Sequence, residues 1–391
     1  MVELLAPAGD LEKLKVALTY GADACYIGGQ SFSLRARASN FTLTDIGKAT
    51  EYAHARGKRI YVTTNIIPHH EDLVGIREYL EALEERGVDA VICASPAIID
   101  LARRHTSLEI HLSTQQSVTN AQAVSFWKKR GVRRIVLARE LSIAEIERIG
   151  KTRDTDIEVF IHGGMCMSYS GRCSLSDTMT LRDANRGGCA HSCRWIYELS
   201  SARKTYREPF SMAAKDLSAY SFIPALIDAG ASALKIEGRM KSLHYIATVV
   251  STYRRIIDDY LRDGRIDGFE GYAKELAKAE NRQAAAGFLG GMPGSKAQLF
   301  EQTDVRPAQV FIGLVLAYDP ETKEALIEQR NHFRVGQTVE ILHTDGSRES
   351  FLLERMTDED GNPLDVAPHP KQRIRIRIPF SVEANAMVRR S

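Results

Sequence analysis

Eight short runs rich in apolar and β-branched residues recur up to Gly238, with longer amphipathic stretches between them. They read "VELLA" (2–6), "ACYIGG" (24–29), "RIYVTTNII" (59–67), "AVICAS" (90–95), "EIHLSTQ" (109–115), "RIVLARE" (134–140), "IEVFIHGG" (157–164) and "ALKIEG" (233–238). Several are apolar throughout rather than alternating, as expected of parallel strands covered on both faces. The intervening stretches carry helix signals: "DLEKLKVALTYGA" starts at a capping Asp10 and stops at Gly21, and "LVGIREYLEALEERG" stops at Gly87. Eight strands alternating with helices specify an α/β protein of the (β/α)8 TIM-barrel type, preferred over a doubly wound open sheet with the same alternation.

Strand seven is expected to end near Gly163 and strand eight to begin near Ala233, far more chain than one crossover requires. The surplus, about 163–230, reads as an insertion, with a hairpin in "YELSSARKTYREPFSMAAKDL" and a helix in "SAYSFIPALIDAG". After the helix "SLHYIATVVSTYRRIIDDYL" comes the glycine-rich break "GFLGGMPGSKAQ" (287–298), and the pattern then changes to period two in "AQVFIGLVLAY", "EALIEQ", "QTVEILH" and "RIRIRIPF". The expected organisation is a barrel over 1–290, a linker over 291–305 and a small β-barrel domain over 306–391.

The insertion opens with Cys166, Cys173, Cys189 and Cys193, four of only six cysteines in the chain. The N-terminal "MVELLAPAGDLEKLKVA" lacks the basic start and long apolar core of a secretory leader. No stretch approaches the about 18–20 uncharged apolar residues of a membrane span. The expectation is a cytoplasmic protein with no membrane contact, a compartment where disulfides are rarely maintained, which leaves metal or redox chemistry for the four thiols. Their spacing, C-x6-C-x15-C-x3-C, has one tight pair and one wide, Gly- and Ser-rich loop. Structural zinc usually takes two tight pairs, whereas a 4Fe-4S cluster accepts wider, uneven spacing, so spacing favours the cluster and keeps zinc as the alternative. Cys25 and Cys93 lie inside apolar strands and read as core.

The string "EVFIHGGMCMSYSGRCSLS" (158–176) resembles the signature of the collagenase-like peptidase family U32. "LLAPAGD", "GADACYIGG", "HLSTQQSVTN", "VLARELS", "RGGCAHSCRWIYEL", "KDLSAY" and "KIEGRMKS" are similar to it in the same order. The resemblance covers about residues 3–290, and the last domain is like the C-terminal domain of longer members. It implies an RNA-modifying enzyme that installs a 5-hydroxyl on a pyrimidine, tRNA wobble uridine or a ribosomal RNA cytidine, or hydroxylates a quinone precursor by related chemistry. It further implies dependence on prephenate and on an iron–sulfur cluster held by the positions that match Cys166, Cys173, Cys189 and Cys193. The family's name keeps proteolysis as the competing function, although the chain has no H-E-x-x-H helix and no G-x-S-x-G elbow.

Between His162 and Arg207 the chain holds seven basic and three acidic residues, against a net charge of +2 overall. Arg172, Arg182, Arg186 and Arg194 in this stretch, with Arg139 and Gln115 at the ends of earlier strands, are the candidates for gripping RNA phosphates or the carboxylates of prephenate. Tyr169 and Trp195 are candidate base-stacking groups. For acid–base work the candidates are His162 at the end of strand seven and Glu237 with Arg239 just after strand eight. "RIRIRI" would set Arg373, Arg375 and Arg377 on one face, as an RNA-tracking stripe or simply the wet side of a strand. The chain is also compatible with assembly into a homo-oligomer or a hetero-oligomer with a related subunit.

Overall fold

The computed structural model describes residues 2–34, 40–152, 155–200, 205–279, 282–300 and 310–390. Eight parallel strands form the barrel: β1 Glu3–Pro7, β2 Ala24–Gly28, β3 Arg59–Thr64, β4 Ala90–Cys93, β5 Glu109–Leu112, β6 Arg134–Val136, β7 Asp156–Gly163 and β8 Ala233–Ile236. Each pairs with its successor, and β8 pairs with both β7 and β1, so the sheet closes on itself. The open-sheet alternative is thereby excluded.

Local chemistry starts several of the surrounding helices. Asp10 caps α1 (Leu11–Thr19) by accepting from the Lys13 N–H at 2.9 Å. Thr42 with Asp45 and Ser142 with Glu145 form reciprocal capping boxes for α2 (Leu43–His54) and α6 (Ile143–Gly150). The helices α3 (Ile76–Glu85), α4 (Pro96–His105), α5 (Ala121–Lys128) and α7 (Ile223–Asp228) complete the ring with α8, Leu243–Asp263, which ends at Gly264. Their apolar faces and the outward faces of the strands share one large core.

The barrel interior is apolar in its middle, where Leu5, Ala24, Tyr26, Tyr61, Ala90 and Ile92 pack together. Nearer the strand starts it is ionic. Lys235 donates to Glu158 at 2.6 Å, and Arg134 reaches Glu3 at 2.6 Å and Glu158 at 3.4 Å, with both Lys235 and Glu158 buried.

The end of β7 diverges from the barrel. Gly163 and His162 pair antiparallel with Leu217 and Ser218, and Asp216–Leu217 pair in turn with Ala284–Ala285. Gly163 holds a φ of +102°, and a side chain there would strike the Glu237 carbonyl. The insertion leaves from this point and contains the expected hairpin, Tyr197–Ser200 against Thr205–Phe210. The first half of the expected 291–305 linker is not a free connector. The Leu299 N–H donates to the Ala213 carbonyl and the Phe300 carbonyl accepts from Ser211, so this stretch is bonded to the base of the insertion. Residues 301–305 lie outside the described residues.

The C-terminal domain is β-rich, with a seven-stranded antiparallel sheet around a second core that includes Ile312, Ile327, Phe333, Ile374 and Val388. It packs on the barrel. Arg389, fully buried, meets Glu275 at 2.7 Å and Glu340, and the Tyr20 hydroxyl lies 3.0 Å from the Leu342 and Asn385 carbonyls. The "RIRIRI" strand, Arg373–Arg377, does expose its arginines, but Arg377 stands opposite Glu324 and Arg373 opposite Glu328, with Glu359 3.6 Å from Arg373. Neighbouring acids thus offset much of the stripe's charge.

Candidate active site

All four insertion cysteines lie beyond the carboxyl end of β7, on the rim where barrels of this type place their chemistry. Cys166 and Cys189 are exposed, Cys173 and Cys193 half-buried, and all are free thiols. Burial raises the Cys193 thiol above its ordinary range; Cys166 pushes it further up, the Arg194 guanidinium opposes this, and Cys189 and Cys173 add to the rise. The other three sulfurs therefore lie within electrostatic reach of Cys193. They gather without converging, since among the described residues no group of three or more His, Cys, Asp or Glu side chains is drawn together tightly enough to hold a single metal ion.

The loops that carry these sulfurs are tied to the barrel and to each other. Glu140, just beyond β6, accepts from the Ser170 N–H at 2.6 Å and from its hydroxyl at 2.9 Å, which pins the loop between Cys166 and Cys173. Asn185 accepts from the Cys173 N–H at 3.2 Å and donates to the Cys173 carbonyl at 2.9 Å. The Ser211 hydroxyl donates to the Cys193 carbonyl at 3.3 Å. An all-thiol donor set on pinned loops suits the chemistry of an iron–sulfur cluster or of zinc.

Beside the thiols, charged side chains converge on Gly164. A Cβ at this glycine would stand 3.4 Å from Arg282 Nη2, 3.4 Å from Glu237 Oε2 and 3.5 Å from Arg194 Nη2. Arg139 donates to the Gly164 carbonyl at 2.7 Å, and the Gly164 N–H donates to Glu237 at 3.3 Å. Asp216 pairs with Arg282, and Lys241 stands nearby, its ammonium pK lowered by burial and by Arg282 and Arg194 while Asp216 and Glu237 oppose this. Of this cluster the sequence pointed to Arg139, Arg194 and Glu237. It missed Lys241 and Asp216, which sit in the quoted strings "KIEGRMKS" and "KDLSAY", and it missed Arg282, whose local sequence carries no signal.

The acid–base trio is not assembled as expected. His162 is fully buried, 3.1 Å from the Tyr253 hydroxyl and flanked by the Tyr245 ring, and burial pushes its pKa down to about 3. A ring so weakly basic carries no proton at neutral pH and has none to donate as a general acid. Arg239 turns away from Glu237 and buries its guanidinium against Ser33 and Thr63, both at 3.1 Å, and Asn40 at 2.6 Å. It lies across Gly28, where any side chain would overlap the guanidinium.

The remaining candidates divide in two. Arg186 is fully engaged with Asp72, at 2.7 and 2.8 Å, and with Glu71 at 2.9 Å. It braces the insertion against the loop after β3 and is not available to substrate. Gln115 is buried beneath the cysteine loop, accepting from Asn65 and Ser113, each at 3.3 Å, while its Nε2 has no partner among the described residues. Arg172 and Arg182 are exposed and make no ion pair among the described residues. Around them the insertion exposes Met167, Tyr169, Met179, Leu181, Trp195, Ile196 and Leu199, seven of the 14 large apolar side chains exposed among the described residues. No described helix is long and apolar enough to cross a membrane.

Comparison with known proteins finds relatives along nearly the whole chain. The chain is 46% identical over 400 residues to tRNA hydroxylation protein P1 of Bacillus subtilis, an alignment covering 99% of this chain and 94% of that protein. It is 33% identical to tRNA hydroxylation protein P of Escherichia coli over 98% of this chain and 95% of that protein. Over 67% of its length it is 38% identical to the 23S rRNA 5-hydroxycytidine C2501 synthase of Escherichia coli, covering 40% of that longer protein. Residues 9–299 match Peptidase family U32 and residues 307–389 match the Peptidase family U32 C-terminal domain, and the chain belongs to this family.

Proposed function

We propose that this protein hydroxylates RNA, adding a 5-hydroxyl to the wobble uridine of tRNA with prephenate as co-substrate. The observation that carries the reading is the juxtaposition at the barrel mouth of four thiols with a cradle of arginines around Gly164. Two relatives aligned over nearly the whole chain are named tRNA hydroxylation proteins, which favours tRNA over rRNA. Cys166, Cys173, Cys189 and Cys193 would hold a 4Fe-4S cluster, which supplies redox chemistry when bound.

The chain's own residues have separable tasks. Glu140 and Asn185 hold the cysteine loops in place. Arg172 and Arg182, exposed beside Tyr169 and Trp195, suit phosphates and unstacked bases of a single-stranded loop. Arg139 and Glu237 fix the backbone of Gly164 from its two sides.

The test begins with anaerobic purification of the full chain and assay of iron, acid-labile sulfide and zinc. Iron and sulfide in equal amounts, lost in the Cys173→Ser and Cys193→Ser variants, are expected; stoichiometric zinc without sulfide would remove the redox reading. Nucleosides of tRNA from a strain lacking the gene are then weighed. Loss of 5-hydroxyuridine derivatives, restored by the wild-type gene and not by Cys173→Ser, is expected. Unchanged tRNA with loss of a hydroxycytidine from rRNA would reassign the substrate.

A further inference from the structure

Leu181, at 91%, is the most exposed of the 14 large apolar side chains exposed among the described residues. It ends the short helix Leu175–Thr180 with φ +56°, in the left-handed conformation that helix ends ordinarily give to glycine. Phe32, the other bulky apolar residue at positive φ, packs its ring against Tyr79 at 5.3 Å. Leu181 gains no such burial, so a strained backbone holds an apolar group out in water. Strain that the fold itself does not use points to a use outside the fold.

The tip is anchored on both sides. Before it, the buried Ser176 hydroxyl accepts from the Ala190 N–H at 3.2 Å, which fastens the helix to the segment between Cys189 and Cys193. After it, the Asp183 carbonyl accepts from the Gly188 N–H at 2.7 Å, and Arg186 grips Asp72. Leu181 is thereby presented at a fixed place next to the cysteine segments. Arg182, the following residue, is exposed and makes no ion pair among the described residues.

We propose that Leu181 is a wedge that inserts between stacked bases of the RNA loop brought to the barrel mouth, with Arg182 on the phosphate beside that step. The inference rests on the RNA function proposed above and deepens it by assigning the unstacking of the substrate to one side chain. Enzymes that do chemistry on a base take it out of its stack, and apolar side chains, leucine among them, open base steps by insertion. Charge selects the occupant. The stretch from His162 to Arg207 holds seven basic and three acidic residues, which suits phosphates, whereas a second copy docking through the same surface would bring the same positive excess.

The experiment uses the full, anaerobically purified chain and a synthetic tRNA anticodon stem–loop with 2-aminopurine next to the wobble uridine, a base whose fluorescence rises on unstacking. Wild-type protein is expected to bind and raise the fluorescence. Leu181→Gly keeps the left-handed backbone and removes the wedge, so the rise should be lost while affinity changes by less than about tenfold, the lost contact being offset by the unstacking no longer driven. Its urea midpoint should be no lower than that of the wild type, because glycine suits this position. Arg182→Gln should weaken binding and reduce the slope of log Kd against log salt by about 0.7, the share of one phosphate on a single strand. No binding of the stem–loop, binding without a rise, or a rise that survives in Leu181→Gly would overturn the wedge. A lower urea midpoint in Leu181→Gly would overturn it in favour of a structural leucine. Loss of a dimer in size exclusion, with RNA binding and fluorescence unchanged, would give the leucine to a contact between copies. The two readings fail separately. A rise that depends on Leu181, with unchanged 5-hydroxyuridine in tRNA of the strain lacking the gene, overturns the hydroxylation alone. Loss of 5-hydroxyuridine from that strain, with no rise on binding, overturns the wedge alone.

Discussion

His162 and His244 are imidazoles that the folded chain keeps from water, the first against Tyr245 and Tyr253 and the second stacked on Phe311. Burial pushes both pKa values down to about 3, further lowered by Lys241 at His162 and by Arg389 at His244. In the unfolded chain each takes up a proton below about pH 6.5, while the folded chain refuses it. The unfolded state then binds more protons, so stability is complete above about pH 6.5 and falls as pH drops towards 3, by up to about 1.4 kcal/mol per pH unit for each ring. Urea unfolding at about pH 7.5 and about pH 5.5 should show a lower midpoint in acid, and His244→Phe, which keeps the stack, should reduce that difference. A midpoint insensitive to pH would contradict the burial argument. A different residue-scale dependence joins Lys235 to Glu158 inside the barrel. Lys235→Met leaves Glu158 buried with only Arg134, at 3.4 Å, and should cost about 3–5 kcal/mol in urea unfolding. The double variant Lys235→Met/Glu158→Leu should recover much of that loss.

The insertion is the element that turns a common barrel into a specific site. Between Gly164 and Phe210 it contributes, among the described residues, only the partly buried Met165 to the main core and exposes seven large apolar side chains, so its position depends on polar ties. Arg186, engaged with Asp72 and Glu71, links the segment between Cys173 and Cys189 to the loop after β3, together with the Asn185 carbonyl, which accepts from the Ile67 N–H at 2.9 Å. Arg186→Ala is expected to leave the unfolding midpoint of the barrel unchanged while amide exchange rises across the cysteine loops, read by hydrogen-exchange mass spectrometry. Exchange confined to the mutated turn would show that the brace carries no more than its own contact. The interrupted β7 matters equally. Because its last two residues pair with Leu217 and Ser218 while His162 also pairs with Ile236 of β8, the insertion leaves and re-enters at one point of the rim.

For the molecule as a whole, the two domains are joined through a buried ionic cluster rather than a purely apolar seam. Arg389, on the final strand, meets Glu275 beside the barrel and Glu340 in its own domain, and Lys278 and Arg348 share these carboxylates. Burial alone would raise the Glu275 carboxyl, but Arg389 and Lys278 bring it down to about 2. Arg389→Met strips the cluster of its central charge and should cost about 3–5 kcal/mol, with unfolding splitting into two transitions as the domains uncouple. A single transition at the wild-type midpoint would mean that the seam is held by its apolar contacts.

Within the barrel, the alternation of apolar runs and capped helices sufficed to place all eight strands and their closing order, because burial period and capping are properties of neighbours in the chain. The cysteines' common location at the mouth was legible for the same reason, since all four follow one strand. What only the tertiary structure decided is which charges meet. Arg186 read as a substrate-binding group and Arg239 as an acid–base candidate until their partners Asp72, Thr63 and Asn40 arrived from distant parts of the chain. Arg282 carried no signal until the fold set it against Asp216 and beside Gly164. A side chain's chemistry follows from the dielectric and the counter-charges around it, and those are supplied by residues far away in sequence.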